Sequence, residues 1–460
     1  MDAEVIVIGA GVSGLCAAHY LGKALGPEVV LTLEAGPVPG GTTGSDTVDG
    51  YVLDWGSNGF LDREPLTLAW AEELGLMPDR ITANTAAAKR FIYRGGRLHQ
   101  VKMPPGFFLS PLLSVPGRLR LCCEPLIPKK RDNLPESIFE FAARRIGSEA
   151  ARVMVGAMVL GIYGGDAKAL SMAHCFPRMV RMEEDYGGLF KALLAIRKNR
   201  KASPMGPPGV LTTFKGGIGA LPQRAATALG GQIRFNTPAA GITAREDGYR
   251  VTLNTGETLL TRAVVVATPA HTAAALMRDL HAEAGRALAE IPYAGLTVAC
   301  LGYRQNNVAR DLDGFGFLVP RGEGLRLLGC IWTSTLFPFE APDGSVLFRV
   351  MLGGAPDPEA NLLSDTETLD LVQREIQPLL GISGEPELVR LYRHPRGIPQ
   401  YTLGHEKRLA MLDQAEAACP GLAFVGNAYR GIGLNDCVVS AHRAVERLAG
   451  YLRGPDASRS

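Results

Sequence analysis

The stretch VIVIGAGVSGLCAAHYLGKALGPEVVLTLEAG, residues Val5 to Gly36, decides the fold. Glu4 to Ile8 is an apolar run of strand length, and Val12 to Leu25 carries apolar residues at helical spacing. Gly9, Gly11 and Gly14 stand between them in the order G-x-G-x-x-G. The first makes a tight turn, the second lets backbone approach a pyrophosphate, and the third lets helix pack closely on strand. The helix N-terminus then stabilises phosphate charge. Val29 to Leu33 reads as the second strand, and Glu34 closes it, about 20 residues after Gly14. A carboxylate there accepts from ribose hydroxyls and repels a 2′-phosphate, which disfavours NADP. The unit binds a dinucleotide, but flavin and nicotinamide enzymes share it.

The totals bound what surrounds this unit. At 460 residues, two or three subdomains are expected. A hydrophobic content of 46% with 20% charged residues suits a globular chain and argues against disorder. A net charge of +2 gives no case for nucleic acid. The eight cysteines are scattered without a C-x-x-C pair, so neither a metal site nor a redox motif is expected, and the thiols suggest a reducing compartment. The first strand starts about four residues in, leaving no room for a signal peptide. No apolar run reaches the ~18 residues of a spanning helix. The expectation is an intracellular protein that does not cross a membrane.

The next segment separates the two cofactors. PVPGGTTGSDTVDGYVLDWGSNGF, residues 37–60, adds Gly40, Gly41, Gly44, Gly50, Gly56 and Gly59 where a nicotinamide domain would proceed to its next strand and helix. It resembles the FAD-binding start of the flavin amine oxidase superfamily, in which a glycine doublet meets the pyrophosphate. Arginines often flank that doublet; here Val38 and Thr42 occupy those places. GLAFVGNAYRGIGLNDCVVSAHRAVERLAGYL, residues 421–452, reads as strand, glycine loop and a helix from about Asp436. It resembles the segment whose helix N-terminus faces the flavin N1 and C2 carbonyl edge, where dipole and free N–H groups favour negative charge. Gly426, Gly433, Leu434 and Asn435 are the candidates there. Residues 230–270 read as short strands ending at ATP, a third FAD segment with Ala240 and Thr268 as candidates. The expected cofactor is FAD. The expected fold is α/β, mixed α+β, with a Rossmann-like FAD-binding domain assembled from separated segments.

Further stretches narrow the resemblance. AAAKRFIYRGGRLHQVKMPP, GIYGGDAKALSMAHCFP, RGIPQYTLGHEKR and VGNAYRGIGLND, in this order, resemble the oxygen-dependent protoporphyrinogen oxidases of haem and chlorophyll synthesis, and the match runs through essentially the whole chain. The resemblance implies FAD-dependent oxidation of protoporphyrinogen IX to protoporphyrin IX, with dioxygen as acceptor and hydrogen peroxide as product. It implies that Arg90 meets a propionate and that Leu318, Ile331 and Met351 wall the macrocycle. It places Asn58 at the substrate and Gly56 at the cofactor, both in the GSNGF loop, and Gly164 with Gly165 where the chain passes close to flavin and substrate, Gly164 at the substrate. The plainer alternatives are a surface cation on a strand edge for Arg90, ordinary strand core for the three apolar residues, and a turn for the glycine pair. Ser57 and Gly59 depart from the Pro and Ser usual beside that Asn.

No Ser–His–Asp set, carboxylate pair or metal spacing appears, so no acid–base residue is assigned. Catalysis is then orientation and flavin tuning, with hydride leaving a bridging carbon and N–H protons departing through water or tautomerisation. His271, His394, His405 and His442 read as structural or surface residues, His405 set apart by its family-like loop. From Phe91 to about Lys201 helical periodicity takes over, with Pro-rich breaks at Met103–Gly106 and Pro204–Gly209. Within it, residues 104–131 are apolar and edged by Arg118, Arg120, Lys129, Lys130 and Arg131. That is either a monotopic membrane anchor, apolar side in lipid, or a helical lid or dimer contact. Arg144, Arg145, Arg178, Arg181, Arg197 and Lys198 read as solvated helix faces. Residues 278–396 read as a sheet of apolar strands with one amphipathic helix.

The expected division is 1–85, 206–277 and 413–460 for the FAD-binding part, 86–205 for a helical membrane-associated insertion with substrate-channel contacts, and 278–412 for a sheet-plus-helix substrate-binding domain. The expected partners are a porphyrinogen, dioxygen, the inner face of the cell membrane met from the cytoplasm, a second copy of the chain, and a ferrochelatase receiving the product; nucleic acid is not among them. Coproporphyrinogen III, with four propionates, is the rival substrate and calls for more cations around the cavity. A non-catalytic flavoprotein is the more distant alternative.

Overall fold

The computed structural model describes residues 1–102, 110–132, 134–198 and 209–454. The breaks at Met103–Gly106 and Pro204–Gly209, except Gly209, lie outside these, as do the side chains of Arg197 and Lys198. Val5–Ile8 forms the centre of a five-stranded parallel sheet ordered Ile233–Arg234, Val30–Leu33, Val5–Ile8, Ala263–Val266, Leu422–Phe424. The central strands are near-continuous Val, Ile and Leu, as a sheet covered on both faces requires. Three distant pieces of chain thus meet in one sheet. The second strand begins at Val30 rather than Val29, because Pro27–Val29 closes a tight helical turn. Helices Val12–Leu25 and Leu434–Arg453 pack together over one face. The last helix begins at Leu434, two residues before the expected Asp436, with Gly433 as its N-cap.

Strand order reverses beside Val5–Ile8, which opens a crevice at the carboxyl ends of the strands. Gly9 turns there at φ +107°, and a Cβ on it would meet the Ala267 carbonyl at 3.0 Å. A Cβ on Gly14 would fall against the Gly9 carbonyl, so its place in the motif is set by helix-on-strand packing.

A second, seven-stranded sheet runs Leu388–Pro399, Tyr293–Arg304, Ser345–Gly353, Leu327–Trp332, Gly314–Leu318, Lys89–Arg94, Arg97–Gln100. Residues 89–100 are therefore two strands and not the beginning of the helical segment. Lys89–Arg94 pairs in parallel with Gly314–Leu318, a partner more than 200 residues away that local periodicity does not reveal. Helix Asp365–Leu380 covers one face through Leu371, Val372 and Ile376 against Phe348, Val350 and Trp332. By the two-residue alternation of strands, Arg349 and Met351 point to the other face.

Helices occupy most of 115–198, and Ser148–Tyr163 is a continuous rod with one wide π turn at Ala151–Val155. Arg178 and Arg181 are exposed, but Arg145 is not a solvated residue: its side chain is 0% exposed. Burial is tolerable because Glu124, also 0% exposed, pairs with it, Glu183 lies at 3.2 Å, and the Ile127 carbonyl accepts at 2.9 Å. Glu124 in turn accepts from the N–H groups of Leu189 and Phe190 at 2.8 and 3.1 Å. Arg144 is half-screened between Glu136 and Glu183 at 2.9 and 2.6 Å. No helix among the described residues is long and apolar enough to cross a membrane.

Candidate functional site

One cavity of about 1390 Å³ joins the crevice of the parallel sheet to the open face of the seven-stranded sheet. Small-molecule pockets usually enclose about 300–1,000 Å³, so this space suits a long cofactor and a large second molecule together. At the nucleotide end, Gly9, Gly11, Glu34, Gly40 and Gly41 line it. The Val12–Leu25 helix has no side-chain cap and no acid in its first turn, so its positive end is open to a diphosphate. The two glycine turns touch: Gly40 N–H donates to the Ala10 carbonyl at 2.8 Å. A Cβ on Gly11 would meet nothing nearer than 4.0 Å, so open space lies over that backbone.

Glu34 accepts from Ala10 N–H at 2.7 Å and from Gly36 N–H at 2.8 Å, one bond to each oxygen. A carboxylate has about four lone-pair sites, so capacity for ribose hydroxyls remains. The third segment lines the cavity through Thr237, Pro238, Ala239, Ala267 and Thr268. Ala240 is exposed and does not; the strand pairing slips between Ala239 and Gly241, and that irregularity puts Ala239 at the cavity in its place. Gly14 also stays off the lining, held by packing alone.

Further along lie Gly56, Asn58, Gly426, Gly433, Leu434 and Asn435. Gly426 has φ +134° and nothing within 4 Å of a Cβ position. The Asn58 amide nitrogen, the Asn435 side-chain oxygen and the Thr268 hydroxyl are buried without partners in the chain. Orphaned groups of this kind, with two bare glycine surfaces and a helix N-terminus at each end, fit a polar, elongated, anionic cofactor such as FAD. The Asp436 carboxylate caps its helix by accepting from Gly433 N–H at 3.0 Å, and burial raises its pKa.

The GIPQYTLGH stretch supports this end from behind. Tyr401 O–H donates to the Asn427 carbonyl at 2.5 Å, and its oxygen accepts from Gly431 N–H at 2.9 Å, which fixes the glycine loop. His405 stacks on Tyr401 at 4.4 Å and donates from Nε2 to the Tyr429 carbonyl at 2.9 Å. Burial lowers its pKa to about 4, so the ring is neutral. Gln400 donates to the Tyr163 carbonyl at 2.8 Å, tying this strand to the helix end at Gly164.

At the other end of the cavity the sheet register sets a wall. Arg90, Gly316, Ile331 and Arg349 are successive partners across four strands, and Ile92, Leu318, Gly329 and Met351 form the next row. Leu318, Ile331 and Met351 all line the cavity. Opposite stand Met154, Met158 and Gly161 of the helix rod, with Gly164 left-handed at φ +55° ending it. Arg90 lies at the rim, exposed, its guanidinium 5.0 Å above the Phe315 ring. Arg63, Arg349 and Arg396 also line the space, and strand alternation from the wall residue Met351 points to Arg349 alone of the three. No His, Cys, Asp or Glu cluster able to hold a metal occurs among the described residues.

Comparison with known proteins agrees with this geometry. Residues 12–449 match the family described as flavin containing amine oxidoreductase. A chloroplastic protoporphyrinogen oxidase of Nicotiana tabacum is 30% identical, over 98% of this chain and 86% of its own. A coproporphyrinogen III oxidase of Bacillus subtilis is 28% identical over 98% of both. A crystal structure from Exiguobacterium sp. 255-15 superposes with a TM-score of 0.84 at 24% identity, covering 98% of this chain and 99% of that one.

Proposed function

The chain belongs to the flavin containing amine oxidoreductases, and within that family we propose that it oxidises a porphyrinogen, protoporphyrinogen IX first, to the porphyrin in tetrapyrrole synthesis. FAD is its cofactor, and the chain is an oxidoreductase. The observation that carries the reading is the single continuous cavity, with a glycine cradle at one end and an aliphatic wall rimmed by arginine at the other. Bound FAD supplies two-electron chemistry, taking hydride from carbon and yielding the pair to dioxygen. Six hydrogens leave the macrocycle in three rounds, consuming three dioxygen molecules and releasing three of hydrogen peroxide.

The residues named above divide the work. Gly9, Gly11, Gly40, Gly41, Glu34 and Thr268 hold the nucleotide; Gly56, Gly426, Gly433, Leu434 and Asn435 surround the flavin. Leu318, Ile331 and Met351 bury one face of the macrocycle, and the helix residues opposite bury the other, which excludes water. Arg90 meets a propionate at the rim, where its fork suits a carboxylate. The division into FAD-binding, helical and substrate-binding parts follows the boundaries given above, with 89–100 moved to the substrate sheet.

Two further cavity arginines, Arg63 and Arg396, favour a second reading, coproporphyrinogen III, whose four propionates need more cations. Anaerobic mixing of the purified yellow protein with each porphyrinogen tests both. Flavin bleaching by protoporphyrinogen, then porphyrin fluorescence and peroxide on admitting air, is the expected result. Preference for coproporphyrinogen moves the substrate but keeps the chemistry, and bleaching by neither refutes the proposal.

We also infer that the chain lies on a membrane surface. Val115, Leu119, Leu126 and Leu134 are 60 to 80% exposed, beside the exposed cations Lys129 and Arg131. This supports a one-sided anchor; of the apolar stretch 104–131, residues 104–109 lie outside the described set. A second copy of the chain and hand-over to a ferrochelatase remain part of the proposal.

A further inference from the structure

The loop that follows Tyr51–Asp54 carries Gly56 and Asn58 into the cavity, and its backbone makes an unusual demand. Three consecutive carbonyls, those of Asp54, Trp55 and Gly56, each accept from a side chain of the seven-stranded sheet. Arg349 Nε donates to Asp54 O at 3.1 Å, and Arg349 Nη2 donates to Gly56 O. His394 Nε2 bonds Trp55 O at 2.8 Å. A carbonyl only accepts, so Nε2 carries a proton, and burial lowers the pKa of the ring. The two donors come from different strands, Ser345–Gly353 and Leu388–Pro399.

Neither side chain is placed like an ordinary surface group. Arg349 is 5% exposed and lines the cavity, as His394 does. Arg349 pairs across the sheet with Ile331 and precedes Met351 by two residues on the same face. The strand that carries the substrate wall therefore also grips the flavin-side loop. The loop cannot slide to compensate for a lost grip, because a Cβ-sized space beside Gly56 is already filled by the Thr42 carbonyl. Two nearby carboxyls, Asp54 and Glu340, are buried, each leaves one oxygen without a partner, and both feel the charge of Arg349.

We infer that Arg349 and His394 are positioning residues which fix the Asp54–Gly56 loop on the substrate sheet, and so set the gap between the flavin and the macrocycle wall. Two donors from the sheet gripping three successive carbonyls of a single loop is the juxtaposition that carries this. Arg349 is then spent on the protein's own backbone and is not a propionate partner, unlike Arg90. The inference rests on the FAD reading of the cavity but on no particular porphyrinogen.

The test uses holoenzyme and no substrate: visible circular dichroism of the bound flavin, and the rate at which FAD dissociates. H394L and R349M should each release FAD about tenfold faster and change the flavin band, the effect of leaving a buried carbonyl unpaired. H394Q keeps an N–H donor at the same reach and should stay within about twofold of the parent. Because both side chains hold one run of backbone, the H394L/R349M effect should fall short of the product of the single effects. An unchanged H394L holoenzyme overturns the inference, as does an H394Q protein as damaged as H394L. Should H394L fail to retain flavin at all, H394Q decides by the same criterion. Failure with porphyrinogens leaves these flavin readouts intact, so the two readings fail separately.

Discussion

Replacing Gly161 by Ala should impair the enzyme without unfolding it, and the structure gives the size of both effects. Gly161 sits in the Gly156–Tyr163 helix facing the cavity. A Cβ there would lie 2.6 Å from Leu318 Cδ2 and 3.4 Å from Cδ1. Carbon pairs are comfortable at about 3.5–4.0 Å, so Leu318 must withdraw by about 1 Å. Its neighbours on the sheet are packed, and the space open to it is the cavity. Crowding of this kind costs about 1–3 kcal/mol, at the low end when the displaced group has room. Ala for Gly inside a helix returns about 1 kcal/mol. The two nearly cancel, and Tm should move by only a few degrees, at about 2–4 °C per kcal/mol. The wall, however, sets where the reacting carbon sits against the flavin, and a misplacement of about 1 Å can cost on the order of 100-fold in rate. We expect kcat/KM for the porphyrinogen, read as porphyrin fluorescence, to fall between about 10- and 100-fold. Trimming the wall in the G161A/L318A double variant should recover part of it. A kcat/KM within twofold of the parent, or a melting temperature lowered by more than about 10 °C, refutes the reasoning, since either means Leu318 did not move as argued.

Arg90→Ala should raise KM about tenfold with kcat retained, the loss of one charge-assisted contact, and Arg90→Lys should recover part of it in steady-state assays. Glu124→Gln leaves Arg145 buried without its counter-charge and should cost about 3–5 kcal/mol in denaturant unfolding, whereas replacing both by methionine should restore much of that. The Asp54 carboxyl is pushed up to about 6 by burial. Its contribution to stability is therefore complete below about pH 4 and is lost as pH rises through 6, about 3 kcal/mol in all, and Asp54→Asn should flatten that slope in melts taken across the window. Leu119→Glu with Leu126→Glu should release the protein from anionic vesicles in co-sedimentation; binding as tight as the parent's removes the anchor.

What could be read along the chain was whatever a few neighbouring residues decide by themselves. Gly9 and Gly14 were legible because a turn and a helix contact forbid a side chain there, and Val12–Leu25 because its apolar face repeats locally. The limits came wherever the partner is distant. Residues 89–100 look like the entrance to a helical segment until Gly314–Leu318 supplies a strand to lie beside. Ala240 missed the cavity by one residue because the slip in pairing after Ala239 depends on the strand opposite. Arg145 reads as a solvated charge, since its partners Glu124 and Glu183 stand 21 and 38 residues away. Arg349 and His394 were the least visible, because what they hold is backbone carbonyl, which leaves no mark on residue identity. The same reasoning says where the specificity of this cavity resides. Arg90, Ile331 and Arg349 come from three strands, and a slip of one residue in any pairing would turn its side chains to the opposite face. The buried helix-side packing under Asp365–Leu380 resists that slip, so the core on one face of the sheet holds the chemistry on the other in register.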